Sequence, residues 1–167
     1  MNQSENLHTI SLFVANKPGV LLRVTLVFAR RGFNIESLVV SSAFDGKFSR
    51  MTITAKGKDR DLEQIVKQLA KLVDVVEARD NSDRISLERE LALIKIDINV
   101  DNRHDLLHEI DHFKAKTVDL TNESVIVEIS GDSEKVEAFL ILMDKYNVVE
   151  LVRSGKMVMS RGKIKEL

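Results

Sequence analysis

No cysteine occurs among the 167 residues, which excludes disulfides and any thiol nucleophile and leaves the compartment open. No apolar run approaches the ~20 residues that a membrane-spanning helix requires. The polar start Met1-Asn2-Gln3-Ser4-Glu5-Asn6 lacks the basic and apolar segments of a secretory leader, so no membrane partner and a cytoplasmic location are expected. Neither sign of charge dominates: Lys plus Arg total 25 against 26 Asp plus Glu, and a net charge of −1 offers no basic field to nucleic acid or anionic lipid. Aromatics make up only 5% of the chain. The strand-like run Lys47-Phe48-Ser49-Arg50-Met51-Thr52-Ile53 carries one Phe at its edge, where a sheet-based RNA reader needs several stacking rings. Proline occurs once, at Pro18. What remains, 44% hydrophobic and 31% charged, is the composition of a soluble globular chain with no disordered bias.

Either side of Asn81-Ser82-Asp83-Arg84 the same order of elements is spelled twice: strand, helix, strand, strand, helix, strand. Residues 9–15 alternate, with Ile10, Leu12 and Val14 on one face, which predicts a strand. Val20, Val24, Val27 and Phe28 recur at helical spacing with Arg23, Arg30 and Arg31 opposite, and Gly32 is placed to end that helix. Leu21, Leu22 and Leu26 widen the apolar surface beyond one stripe, so part of this helix is expected to face a second subunit. Residues 33–43 and 48–55 read as strands joined by Phe44-Asp45-Gly46-Lys47, whose Asp-Gly pair signals a hairpin. Leu38 and Val40 are expected to point opposite to Ile35 and Val39, leaving the sheet's second face partly apolar and packed. Asp59 is expected to cap a helix bearing Leu62, Ile65, Val66, Leu69 and Leu72, and residues 73–78 to close the unit.

In the second copy, Ala92, Ile94, Ile96, Ile98 and Val100 alternate as a strand, and Leu106, Leu107, Ile110 and Phe113 mark a helix face. Strands are expected at 117–120 and 125–129 around Thr121-Asn122-Glu123, a helix through Val136, Phe139, Leu140 and Met143, and a last strand at 148–152. Strand-helix-strand twice over with a hairpin between is the split arrangement of the ferredoxin-like fold. The expected class is α+β, with two ferredoxin-like βαββαβ domains in tandem over residues 1–80 and 81–167.

Only the first copy opens with Val14-Ala15-Asn16-Lys17-Pro18-Gly19-Val20-Leu21, a strand end passing through a Pro-Gly turn into an apolar helix. Such a turn leaves unpaired N–H groups over the helix start, a place to hold a carboxylate. On local spacing alone the plainer reading is favoured: Pro18-Gly19 as an ordinary turn, with Asn16 and Asn34 as loop-bridging amides.

Three runs together carry a family likeness: Asn16-Lys17-Pro18-Gly19-Val20-Leu21-Leu22-Arg23-Val24, Arg31-Gly32-Phe33-Asn34-Ile35-Glu36-Ser37-Leu38, and Ser49-Arg50-Met51-Thr52-Ile53. They resemble the ACT domain that opens the small regulatory subunit of acetohydroxyacid synthase, also called acetolactate synthase. The resemblance continues through Gln64-Ile65-Val66-Lys67-Gln68-Leu69-Ala70-Lys71-Leu72-Val73-Asp74-Val75, resumes at Glu88-Arg89-Glu90-Leu91 and Val152-Arg153-Ser154-Gly155, and ends in Ser160-Arg161-Gly162. It implies a chain with no chemistry or cofactor of its own. Its partner would be a catalytic subunit carrying thiamine diphosphate, Mg²⁺ and FAD, which it would activate and render sensitive to valine, isoleucine or leucine. It further implies a homodimer through the ACT domain, with the effector between two copies at Asn16, Lys17, Pro18, Gly19, Val20 and Leu21 and at Asn34 and Ile35. The residue chemistry agrees with that placement. Gly19 lets a carboxylate approach the N–H groups of Gly19, Val20 and Leu21, the two asparagines offer amides, and Val20, Leu21 and Ile35 suit a small apolar side chain.

Other functions have weaker warrants. His108-Glu109-Ile110-Asp111-His112 matches H-E-x-x-H, with His104 one turn earlier, the pattern of a helical zinc site. Leu106, Leu107, Ile110 and Phe113 already define the buried side of that helix, so a solvated histidine face is expected, and a third ligand would have to be His104, Glu128 or Glu134. Arg23 and Asn34 fit an acylphosphatase only by analogy of fold. The alternative reading is a stand-alone ACT-type amino-acid sensor acting on another protein.

Overall fold

A computed structural model describes residues 6–81 and 86–161 of the chain. Ser82-Asp83-Arg84 of the expected boundary, the start at residues 1–5, and Gly162 lie outside the described residues. The elements are β1 (Asn6–Ala15), α1 (Val20–Arg30), β2 (Ile35–Ser42), β3 (Phe48–Gly57), α2 (Asp59–Leu69), β4 (Val75–Asp80), β5 (Ser86–Asp97), α3 (Arg103–His112), β6 (Lys116–Leu120), β7 (Ser124–Gly131), α4 (Ser133–Met143), β8 (Val148–Arg153) and β9 (Met157–Ser160). The βαββαβ order therefore occurs twice, in antiparallel sheets ordered β2-β3-β1-β4 and β6-β7-β5-β8, and β9 pairs with β5. One compact unit takes in the described residues up to Leu87 and from Lys156 onward, and the other is Glu88–Gly155.

In the first unit the alternation of β1 sends Ile10, Leu12 and Val14 into a core completed by Met51, Ile53 and Ala55 of β3. Against it lie Val20, Val24 and Phe28 of α1 and Leu62, Ile65 and Leu69 of α2, the buried positions of two amphipathic helices. Gly32, at φ 73°, ends α1: its N–H donates to Ala29 O and that of Phe33 to Phe28 O, each at 3.1 Å. This is a Schellman closure, which requires a left-handed residue where the helix stops. The Asp-Gly hairpin forms as expected, with Gly46 at φ 68° and the Lys47 N–H on Asp45 Oδ1 at 3.0 Å.

Three expectations for this unit are corrected. Ile35 and Leu38 do not face opposite ways, because the β2–β3 register shifts between Ile35 and Ser37 and both pack against the same core. Asp59 does not cap α2 but is its first residue: the N-cap is Lys58, and the Asp59 carboxylate instead accepts from Asn6 Nδ2 at 3.0 Å and lies 3.2 Å from His8 Nε2. The last strand begins at Val75, with Val73 fully exposed in the preceding turn.

On the face of the first sheet turned away from its helices, the tail contributes Val158. Together with Ser11, Phe13, Arg50, Thr52, Glu77 and Arg79 it lines a cavity of about 30 Å³. Asn81 adds a hydrogen bond from Nδ2 to Ser11 Oγ at 2.5 Å, and Arg50 lies 5.5 Å from the Phe13 ring centre, a cation–π distance.

In the second unit Ala92, Ile94 and Ile96 of β5 and Val125, Val127 and Ile129 of β7 meet Leu106 and Ile110 of α3 and Val136, Phe139 and Met143 of α4. The strand expected to reach Val100 stops at Asp97, and Val100 is exposed. Asn99 explains the stop, since its Oδ1 accepts the N–H groups of Asp101 at 3.0 Å and Asn102 at 2.9 Å, an Asx turn that opens α3. On the sheet's other face Leu93, Lys95, Ile126, Glu150 and Val152 border a shallow cavity of about 170 Å³.

Candidate functional site

The turn between β1 and α1 is fixed from two sides by backbone hydrogen bonds. Ala15 N–H donates to Asp74 O at 2.8 Å, and Asn16 N–H to Lys47 O at 2.8 Å, which ties the turn to the base of β4 and to the β2–β3 hairpin. Gly19 is the N-cap of α1 at φ 82° and ψ −7°, a left-handed conformation open to glycine at little cost. It contributes no side-chain cap, and the Val20 N–H makes only a long 3.4 Å bond to Lys17 O. Among the described residues, no acceptor meets the N–H groups of Gly19, Leu21 or Leu22. The other three helices carry acids in their first turns: Asp59 and Asp61 in α2, Asp105 in α3 and Glu134 in α4. α1 has none, so no carboxylate of its own first turn meets its positive end.

Each expected site residue has a definite place. Asn16, Lys17, Pro18, Gly19 and Leu21 are exposed around the turn, whereas the Val20 side chain belongs to the core at 2% exposure and brings only its backbone to the surface. The Asn16 amide nitrogen donates to Gly46 O at 3.0 Å, so the bridging role of the plainer reading holds for that end, and its Oδ1 remains as an acceptor. Asn34 is exposed, and Ile35 is half-buried against the first core.

The register separates these residues into two groups. Ala15, at the turn, pairs with Phe48, while Ile35 pairs with Ala55, seven residues further along β3. At ~3.3 Å per residue the two groups sit about 23 Å apart, at opposite ends of one sheet. An amino acid a few ångströms long cannot touch both within one copy. β2 is an edge strand, and its far end, Ser42 opposite Ser49, lies at the same end of the sheet as the turn. Two copies meeting β2 to β2 antiparallel about a twofold axis would bring Asn34 and Ile35 of one to the end of the other's sheet that carries the turn, with β3 between the edge strand and β1.

Sequence reasoning gave Arg23 no role at this turn. Its Nη2 lies 2.6 Å from Asp74 Oδ2, and its Nη1 lies 3.3 Å from where a Cβ on Gly19 would stand. The signal was its spacing, four residues after Gly19 and hence one helical turn above it.

The histidine motif does not assemble a site. His104, His108 and His112 are exposed on α3, and no group of three potential metal ligands occurs among the described residues. Glu109, the general base of the motif, is paired with Lys145, and this hydrogen bond holds the lysine above its ordinary range. Equilibrium dialysis against zinc followed by a peptidase assay is expected to show no turnover; stoichiometric tight metal with turnover would contradict this.

Comparison with known proteins gives two family matches that together span nearly the whole chain. Residues 10–77 match the family described as the AHAS small subunit-like ACT domain, and residues 89–162 match the one described as the small subunit of acetolactate synthase. The acetolactate synthase small subunit of Mycolicibacterium smegmatis is 42% identical over 162 residues, 97% of this chain and 95% of that protein. That of Mycobacterium leprae is 43% identical over 155 residues, 93% of this chain and 92% of that protein. The crystal structure of the acetolactate synthase small subunit from Thermotoga maritima superposes with a TM-score of 0.84 at 38% identity, covering 95% of this chain and 99% of that one.

Proposed function

The chain belongs to the family of acetolactate synthase small subunits, and on that premise we propose that it is the non-catalytic regulatory partner of a thiamine-diphosphate-dependent catalytic subunit. In this reading it raises the activity of that subunit and subjects it to feedback inhibition by valine, isoleucine or leucine. Thiamine diphosphate, Mg²⁺ and FAD belong to the catalytic subunit. The observation that carries the effector half of the reading is the start of α1, where among the described residues the N–H donors of Gly19, Leu21 and Leu22 meet no acceptor and the first turn holds no acid. The effector carboxylate binds there, and its ammonium finds the Asn16 Oδ1 and the Asn34 amide of a second copy. Leu21 and the second copy's Ile35 flank the branched side chain.

Dimerisation through the first unit is part of the same reading, and two features of that unit support it. β2 is an edge strand, and Leu21, Leu22 and Leu26 of α1 are 40%, 62% and 39% exposed. Apolar side chains at such exposure gain when a second copy covers them. Leu22→Glu together with Leu26→Glu is expected to shift the protein from dimer to monomer in sedimentation velocity and to abolish effector inhibition. A dimer unchanged by both substitutions would place the interface elsewhere.

Co-purification tests the partner. The tagged chain is expected to retain a much larger thiamine-diphosphate-dependent polypeptide and to increase its pyruvate condensation. Amino-acid binding without any such partner would favour a stand-alone sensor.

A further inference from the structure

We propose that Arg23 is an effector-binding residue, whose guanidinium, aimed by Asp74, takes the amino acid's carboxylate together with the N–H groups at the start of α1. The inference rests on the effector reading above and adds a residue to it. Three observations carry it. First, Nη1 stands 3.3 Å from the Cβ position of Gly19, so the guanidinium lies beside the residue that opens α1 and carries one of the free N–H groups. Second, only one edge of the group is used. Nη2 is paired with Asp74 at 2.6 Å, and among the described residues nothing accepts from Nη1. A planar guanidinium with donors to spare suits a carboxylate, which takes parallel hydrogen bonds from two nitrogens or from one nitrogen and a neighbouring N–H.

Third, the placement of Arg23 is unfavourable unless something offsets it. A cation in the first turn of a helix faces the positive end of the helix dipole. Asp74 supplies the counter-charge from the base of β4, with its side chain only 17% exposed and its own backbone oxygen holding Ala15. Asp74 is thus a positioning residue that fixes the arginine over Gly19. A half-exposed ion pair kept for stability alone contributes little, so a purely structural role predicts that replacing Arg23 leaves ligand binding unmoved.

Calorimetric titration of the full chain with valine, isoleucine and leucine, and with valinamide as a probe lacking the carboxylate, separates the outcomes. Arg23→Gln is expected to weaken binding of the amino acid about 10- to 100-fold while leaving the much weaker valinamide affinity nearly unchanged. Arg23→Lys is expected to recover part of the loss, and Asp74→Asn to show an intermediate one. A thermal melt matching the parent's shows each variant folded. Equal weakening of valine and valinamide, or full affinity in both Arg23→Gln and Arg23→Lys while Gly19→Asp loses it, overturns the role of Arg23 and leaves the effector site standing. Unchanged binding in Gly19→Asp as well, or no binding of the three amino acids to the parent chain, overturns the site and this inference together.

Discussion

Gly19→Asp is expected to abolish effector inhibition, with the apparent affinity for the branched-chain amino acid falling on the order of 100-fold or more, ~2.7 kcal/mol. Three effects add. The backbone at φ 82° is one that a residue with a Cβ adopts at a cost of ~1–2 kcal/mol, which loosens the turn. The new carboxylate reaches the same N–H donors and faces Arg23 Nη1, 3.3 Å from its Cβ, so the chain supplies its own anion to the site. A free amino acid then meets a filled site and a like charge. Gly19→Ala separates the contributions, since it keeps the strain and omits the charge. It is expected to weaken inhibition by a smaller factor, near 10-fold if strain alone acts. The check is an inhibition curve of the reconstituted synthase against each amino acid, and an unmoved curve for Gly19→Asp would remove the turn from the site.

The second large effect lies far from that turn in sequence and concerns stability. Glu90 of β5, its side chain only 4% exposed, receives Arg153 of β8 through Nε at 2.6 Å and Nη2 at 3.1 Å, with Ser133 of α4 donating to Oε2 at 3.3 Å. Arg153 also reaches Glu137 at 3.2 Å. The cluster ties both flanking elements to the central strand of the second unit. Glu90 and its hydrogen bonds hold the arginine protonated, above its usual range. Arg153→Met leaves a buried carboxylate with one hydroxyl partner and is expected to destabilise the second unit by about 3 kcal/mol. The double change Glu90→Met, Arg153→Met removes both charges and is expected to recover most of that loss. The chain has one tyrosine, Tyr146, and no tryptophan, so urea unfolding of the second unit is read directly by tyrosine fluorescence. A midpoint unchanged by Arg153→Met would mean that the pair contributes nothing to folding.

Both βαββαβ units were legible because burial on one face imposes a period, and Ile10, Leu12 and Val14, or Ala92, Ile94 and Ile96, display it without interruption. The β2 bulge was not, since one extra residue reverses the parity of a strand and leaves no local mark, so Ile35 and Leu38 were set on opposite faces. Val73 and Val100 misled for a related reason. A β-branched residue fits a strand by propensity, and what ended these strands was the chain's commitment to a turn.

The candidate site divides along the same line. The Pro-Gly turn and its donors follow from local chemistry, whereas the left-handed backbone of Gly19 is seen only in the structure. That Asn34 and Ile35 stand at the other end of the sheet follows only from the register of β1, β2 and β3, a long-range property. Arg23 was discounted because a cation opposite the apolar stripe looks like an ordinary solvated side chain. Its partner Asp74 is 51 residues away, beyond any local pattern.

In the proposed effector site the two halves come from two copies, and mixed dimers test that directly. Gly19→Asp and Asn34→Ala chains, each insensitive to the effector alone, are combined and allowed to exchange subunits before inhibition of the synthase is measured. In a mixed dimer the unaltered turn of one copy meets the unaltered Asn34 of the other, so one intact site returns, and inhibition is predicted to reappear in the mixture. A mixture as insensitive as either variant, with subunit exchange confirmed by mass spectrometry, would show that both halves belong to the same copy and would contradict the account.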